Sequence, residues 1–120
     1  MILVDTSVWI DHLHRGVPDL VRALGESRVG THPWVIGELA LGSLRRREAV
    51  LENLARLPIP PVASHDEILW LVDRHRLFGR GLALVDAHLL ASVLLAPGWS
   101  LWTRDKRLRA AADEVGAALT

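Results

Sequence analysis

Cysteine is absent from the 120 residues, which excludes a disulfide framework, a thiolate nucleophile and any Cys-based zinc site. A charge excess is absent as well. The formal net charge is zero, so the overall basic surplus common among nucleic-acid binders is missing, and any such partner depends on where charges sit. Lysine is nearly absent: Lys106 is the single one among 14 Lys and Arg residues. No apolar run reaches the roughly 18 to 20 residues that cross a bilayer, because the longest candidate, Leu82 to Pro97, contains Asp86 and His88. Met1-Ile2-Leu3 has no basic leader and meets Asp5 at once, so no signal peptide is expected and the chain is assigned to the cytoplasm. Repeats, linkers and low-complexity tracts are missing too, and the length suits one domain over residues 1–120.

What is present is an alternation of short apolar runs and helical patterns. Ile2 to Val4 is expected to be a buried strand leading straight into a helix from Thr6 to His14, which Gly16 and Pro18 break. A helix over Asp19 to Glu26 and a short strand near Arg28 to Thr31 follow. Helices are expected over Trp34 to Leu44 and Arg45 to Leu57, with Pro58 to Val62 an extended connection or an edge strand. Ser64 and Glu67 have the spacing of a capping box opening a helix to Leu77. An apolar helix over Ala83 to Ala96, a strand over Trp99 to Thr103, a helix over Asp105 to Val115 and a last short strand over Ala117 to Leu119 complete the pattern. Strands alternating with helices imply an α/β layered fold with a short, mostly parallel sheet.

Most acids fall on polar faces. Four do not. Glu38 lies mid-helix with Trp34, Val35, Leu41 and Gly42 at three and four residues' distance, so nothing on its own face pairs with it. Asp86 repeats the pattern with Leu82, Ala83, Leu89 and Leu90. Asp5 and Asp105 each follow an apolar strand, where either one alone could be an ordinary N-cap; Asp86, near a helix start, could likewise serve the helix dipole. Taken jointly they fit a different account. The carboxyl ends of parallel strands form one edge of an open α/β sheet, where ligands bind, and carboxylates gathered there must take up protons or bind a cation. An all-oxygen set favours a hard ion, Mg²⁺ or Mn²⁺, which can generate hydroxide from water and stabilise charge on phosphorus. Thr6, Ser7 and Thr103 place hydroxyls beside two of these acids, where they could orient a carboxylate or water, or simply cap a helix and fill a strand.

The segments Ile2-Leu3-Val4-Asp5-Thr6-Ser7-Val8-Trp9-Ile10, Trp34-Val35-Ile36-Gly37-Glu38-Leu39, Val85-Asp86-Ala87-His88-Leu89-Leu90-Ala91-Ser92 and Leu101-Trp102-Thr103-Arg104-Asp105-Lys106-Arg107-Leu108 together resemble the PIN-domain ribonucleases of the VapC toxin type. The likeness spans essentially the whole chain. It implies a three-layer α/β/α fold, with Asp5, Glu38, Asp86 and Asp105 matching the family's catalytic, metal-binding acids one by one. It also implies an RNA substrate, a homodimer and a small VapB-type antitoxin that silences the enzyme near the metal groove. Thr103 matches the hydroxyl position two before the last acid.

Two other strand-end acid sites match less well. A receiver domain needs a phosphorylatable Asp on a middle strand, and Pro58 to Val62 holds no acid; a haloacid-dehalogenase phosphatase needs Asp-x-Asp, and Asp5-Thr6-Ser7 is not that. The alternative from another class is a catalytically silent PIN-like module that binds RNA or protein. Arginine clusters at Arg45 to Arg47, Arg74/Arg76/Arg80 and Arg104/Arg107/Arg109 suit phosphate or a solvated face, and Arg104 with Lys106 is the pair expected to contact RNA phosphates. His88 is turned about 200° around the helix from Asp86 and is not expected to be a ligand. The tryptophans are expected in the core or a dimer surface, with Trp9 and Trp34 the two near enough to the acids to line an RNA or antitoxin groove.

Overall fold

Three-residue strands can form a stable sheet only when both faces are covered, and that is what the first strand shows. In a computed structural model describing residues 1–120, β1 (Ile2–Val4) is buried at every position, although successive side chains point to opposite faces. Helices therefore cover the sheet on both sides, as in a three-layer α/β/α arrangement. Leu3 and Val4 are wholly buried, each burial contributing roughly 1.5–3 kcal/mol before the cost of ordering the chain.

The chain runs through β1, α1 (Thr6–Arg15), α2 (Pro18–Gly25), β2 (Val29–Gly30), α3 (Pro33–Leu41), α4 (Arg47–Ala55), α5 (His65–His75), α6 (Leu84–Leu95), β3 (Ser100–Trp102) and α7 (Lys106–Val115). The sheet order is β2-β1-β3, and both pairings are parallel. Leu3 sits opposite Gly30 on one side and Leu101 on the other. Gly30 has no alternative there, since the Trp99 ring occupies the place a Cβ would take. The C-terminal residues add only a parallel bridge between Leu119 and Leu101, not a full strand.

Local chemistry accounts for most boundaries. Pro18 and Pro33 stand at first-turn positions where a missing N–H costs nothing. Ser64 and Glu67 form the reciprocal capping box, at 3.1 and 2.8 Å. α3 is shorter than its apolar pattern predicts, ending at Leu41 instead of Leu44. The Arg47 guanidinium reaches back to the Ala40 carbonyl at 3.1 and 3.3 Å, satisfying a carbonyl of the last turn, and Arg46 adopts a left-handed φ of 52° that delays α4 to Arg47. Pro58 to Val62 remains an extended connection and not a strand. It is held by single hydrogen bonds, from Thr31 N–H to the Pro58 carbonyl and from Ser92 Oγ to the Pro61 carbonyl.

α6 is buried continuously from Val85 to Val93, which is why its sequence is apolar all round and carries little amphipathic pattern. It packs against α5, α3 and β3. No helix is long and apolar enough to cross a membrane.

A carboxylate site at the carboxyl edge of the sheet

β1 lies between β2 and β3, so the chain leaves the two strands on either side of a switch in strand order, the place where open α/β sheets form a crevice. Asp5 immediately follows β1 and Thr103 immediately follows β3. Asp5 N–H donates to the Trp102 carbonyl at 2.9 Å, extending the ladder one step beyond the strand and fixing the aspartate at the edge.

Asp5 occupies the N-cap position of α1, but its side chain does not cap the helix. Oδ2 instead accepts from Ser7 Oγ and Thr103 Oγ1, each at 2.7 Å. Both hydroxyl protons are thereby committed, so the 3.5 Å approach of Ser7 Oγ to Thr103 Oγ1 is a contact without a proton to share. The same hydroxyl oxygens accept in turn: Ser7 from Arg104 N–H at 3.1 Å, Thr103 from Asp105 N–H at 3.0 Å. Ser7 and Thr103 therefore orient Asp5 and also hold the turn that carries Asp105.

Asp105 caps α7, with Oδ1 accepting from Arg107 N–H at 2.8 Å and Leu108 N–H at 3.3 Å. Asp86 sits in the first turn of α6, where Oδ2 accepts from Ala83 N–H at 2.8 Å. Glu38 is exposed on α3, and its Oε1 accepts from Thr6 Oγ1 at 2.5 Å, joining α3 to the start of α1. Thr6 thus acts on an acid 32 residues away, a contact with no local signal in the sequence.

Across these acids one rule holds. Each carboxylate has one oxygen engaged by a neutral donor and the other without a protein partner, and none joins any of the chain's ion pairs. The arginines pair elsewhere, Arg15 and Arg104 with Asp11 and Arg80 with Glu114. Asp5 and Asp86 are at most 9 % exposed, yet their second oxygens are not sealed in the core. The four acids also share one field. Burial pushes the Asp86 carboxyl above its ordinary range, opposed by the Ala83 N–H, and the charges of Asp5, Asp105 and Glu38 push it further up.

No three His, Asp or Glu side chains close around one point as a ready-made cage. An open set of carboxylate oxygens nevertheless fits a hard divalent ion, which is commonly held by one or two carboxylates and completes its shell with water and phosphate. Lys106 makes no ion pair, whereas Arg104 is joined to Asp11 at 2.9 Å and remains 44 % exposed.

His32, which no sequence pattern singled out, sets the start of α3. Its Nδ1 accepts from Trp34 N–H at 3.0 Å, so the ring caps the helix that carries Glu38. Acceptance at Nδ1 places the remaining proton on Nε2, an atom that is buried without a partner. Burial first, and the neighbouring His88 second, lower its pKa to about 4. His88 is packed, and its ring stacks on Trp34. Trp9 is core, 5 % exposed, while Trp34 is 40 % exposed.

Asp5 and Asp105 beside the sheet edge, with Glu38 from α3 and Asp86 from α6 acting on the same field, are the arrangement the sequence resemblance implied. The chain belongs to the PIN-domain family, whose model, described as PIN domain, matches residues 2–114. Among individual relatives it is similar to Ribonuclease VapC32 of Mycobacterium tuberculosis, from strains CDC 1551 and H37Rv. The identity is 60 % over 119 residues, covering 99 % of this chain and 96 % of the relative. In fold it is similar to the crystal structure of PAE2754 from Pyrobaculum aerophilum, with a TM-score of 0.60, 20 % identity, and coverage of 92 % of this chain and 78 % of that one.

His32 yields a pH prediction. A depressed folded pKa means the unfolded chain takes up the proton first, so the stability His32 contributes is full above the ordinary value of 6.5 and is lost as pH falls towards about 4. His32→Asn keeps a cap acceptor and removes the titration. Urea titrations at pH 7 and pH 4.5 are expected to show native stability dropping more than that of the variant, by on the order of 2 kcal/mol.

Proposed function

We propose that the chain is an endoribonuclease that hydrolyses RNA phosphodiester bonds with Mg²⁺ or Mn²⁺, acting in the cytoplasm as the toxin of a type II toxin-antitoxin pair. The observation that carries this is the set of four carboxylates with one oxygen anchored and one unpartnered, none neutralised by the chain's own arginines. The similarity to Ribonuclease VapC32 supports the choice of RNA and of a VapB-type antitoxin.

When bound, a hard divalent cation lowers the pKa of water and offsets charge gathering on the scissile phosphate. The remaining work belongs to the chain. Asp5, Glu38, Asp86 and Asp105 would hold the cation through their unpartnered oxygens. Ser7 and Thr103 keep the Asp5 carboxylate in one orientation, so no reorganisation accompanies reaction. Thr6 does the same for Glu38, and Ala83 N–H for Asp86. Arg104 and Lys106, exposed beside the last acid, would receive backbone phosphates. For the antitoxin, a groove of about 450 Å³ between α1 and the end of α3 is lined by Ile10, Leu13, Leu39 and Leu44 together with the polar His14, Glu38, Ser43 and Arg45. Exposed apolar residues on α5 and α6, Leu69, Trp70, Leu94 and Leu95, support a homodimer.

Antitoxin-free protein incubated with total cellular RNA is the test. Native chain should give discrete fragments in Mg²⁺ or Mn²⁺ and none in EDTA, and Asp5→Asn should lose at least about 100-fold in rate. Equal behaviour of two folded proteins would leave a catalytically silent binding module instead. Binding by a cleavage-silent chain should also weaken with salt. Arg104→Ala or Lys106→Ala is expected to flatten the plot of log affinity against log salt by about 0.7 for each single-strand phosphate no longer neutralised, and an unchanged slope would place the phosphate-binding groups elsewhere.

A further inference from the structure

We propose that the groove on the other side of Glu38 is a nucleobase subsite, in which the indole of Trp34 stacks on an unpaired base of the RNA next to the cut. The inference rests on the ribonuclease reading and assigns a part of the substrate to a place that reading leaves undefined. The groove has a volume of about 460 Å³ and is walled by Trp34, Leu41, Ala83 and Val85, with Glu38 at its edge. It adjoins the acid site at two points, since Glu38 belongs to both and Ala83, which lines the groove, donates its N–H to Asp86 at 2.8 Å.

Charge selects the occupant. The lining contains one carboxylate and no basic side chain, so a phosphate is disfavoured there while an uncharged aromatic heterocycle is not. Trp34 provides the platform. One face of the indole lies on the His88 imidazole, with ring centres 4.5 Å apart and planes 20° from parallel, and His88 is itself 5 % exposed and 5.8 Å from the buried His32 ring. The indole is thus braced from behind by a fixed ring, while 40 % of the residue remains exposed. A large aromatic held rigid and exposed stacks at little entropic cost, and such stacking tolerates any base. Unpaired RNA bases are the ones free to enter a groove of this kind. A nucleotide whose phosphate meets the acids would find this apolar slot within the same crevice.

The experiment uses the full chain with Mn²⁺ and a single-stranded RNA oligonucleotide spanning a cleavage site mapped in total RNA. Native protein, Trp34→Ala and Trp34→Phe are compared by steady-state cleavage, with thermal melting as a control on folding. A second series replaces each nucleotide near the cut in turn with an abasic one. Trp34→Ala is expected to raise KM about 5- to 100-fold with a smaller effect on kcat, and Trp34→Phe to recover most of the loss. One abasic position next to the cut should raise the native KM similarly and add nothing further in Trp34→Ala, because both remove the same stacking pair. If Trp34→Ala proves unfolded, the abasic series on native protein and the Trp34→Phe variant decide alone.

Unchanged KM in a folded Trp34→Ala, or no abasic position that matters, overturns the subsite while leaving the nuclease intact. A variant that keeps its KM but loses antitoxin binding also overturns it, assigning the groove to the protein partner. Failure of native protein to cleave any RNA brings down the ribonuclease reading, and the subsite with it.

Discussion

A buried carboxylate with no cationic side chain beside it has to be held by neutral donors, and Asp5 is where this chain meets that requirement. The two hydroxyls that hold it come from opposite ends of the sequence, Ser7 at the start of α1 and Thr103 at the end of β3, and each also fixes part of the Arg104-Asp105 turn. The parallel pairing of β1 with β3 brings these residues together. Losing that register would separate Asp5 from Thr103 and release the acid at the next turn.

Charge placement follows from the same constraint. A chain with equal numbers of acidic and basic side chains has enough arginine to neutralise nearly every acid, yet the site acids have none. Arg15 and Arg104 converge on Asp11, Arg80 grips Glu114 with two hydrogen bonds, and Arg22 and Arg28 pair within their own segments. Repulsion at the site is therefore left standing, and it contributes to the raised pKa of Asp86. The proposed cation would relieve that repulsion, which no side chain of the chain itself offsets.

Much of this was legible in the sequence because the relevant signals are local. An apolar triplet ending on an acid, a capping box and the proline at Pro33 mark β1, α5 and α3 without reference to the rest of the chain, whereas Pro18, read as the end of α1, in fact opens α2. Capping and cation binding, which look like rival explanations of Asp86 and Asp105, turn out to be compatible, since a carboxylate has two oxygens and each cap uses only one. What stayed hidden depends on partners far away in sequence. Thr6 is anchored to Glu38, His32 caps α3 with an imidazole instead of a hydroxyl or carboxylate, and Trp34 stacks on His88. The early end of α3 was hidden for a similar reason, since an arginine side chain took over a carbonyl that another helical turn would have used.

Calorimetric titration of Mn²⁺ into the native chain, Asp5→Asn, Asp86→Asn and the double variant tests most directly whether the acids act as one site. Acids that share one ion require saturable binding to the native chain, large losses in either single variant, and a double variant little weaker than the worse of the two, because each substitution removes the same ion. Strictly additive losses, or native binding no tighter than that of the double variant, would contradict a shared site.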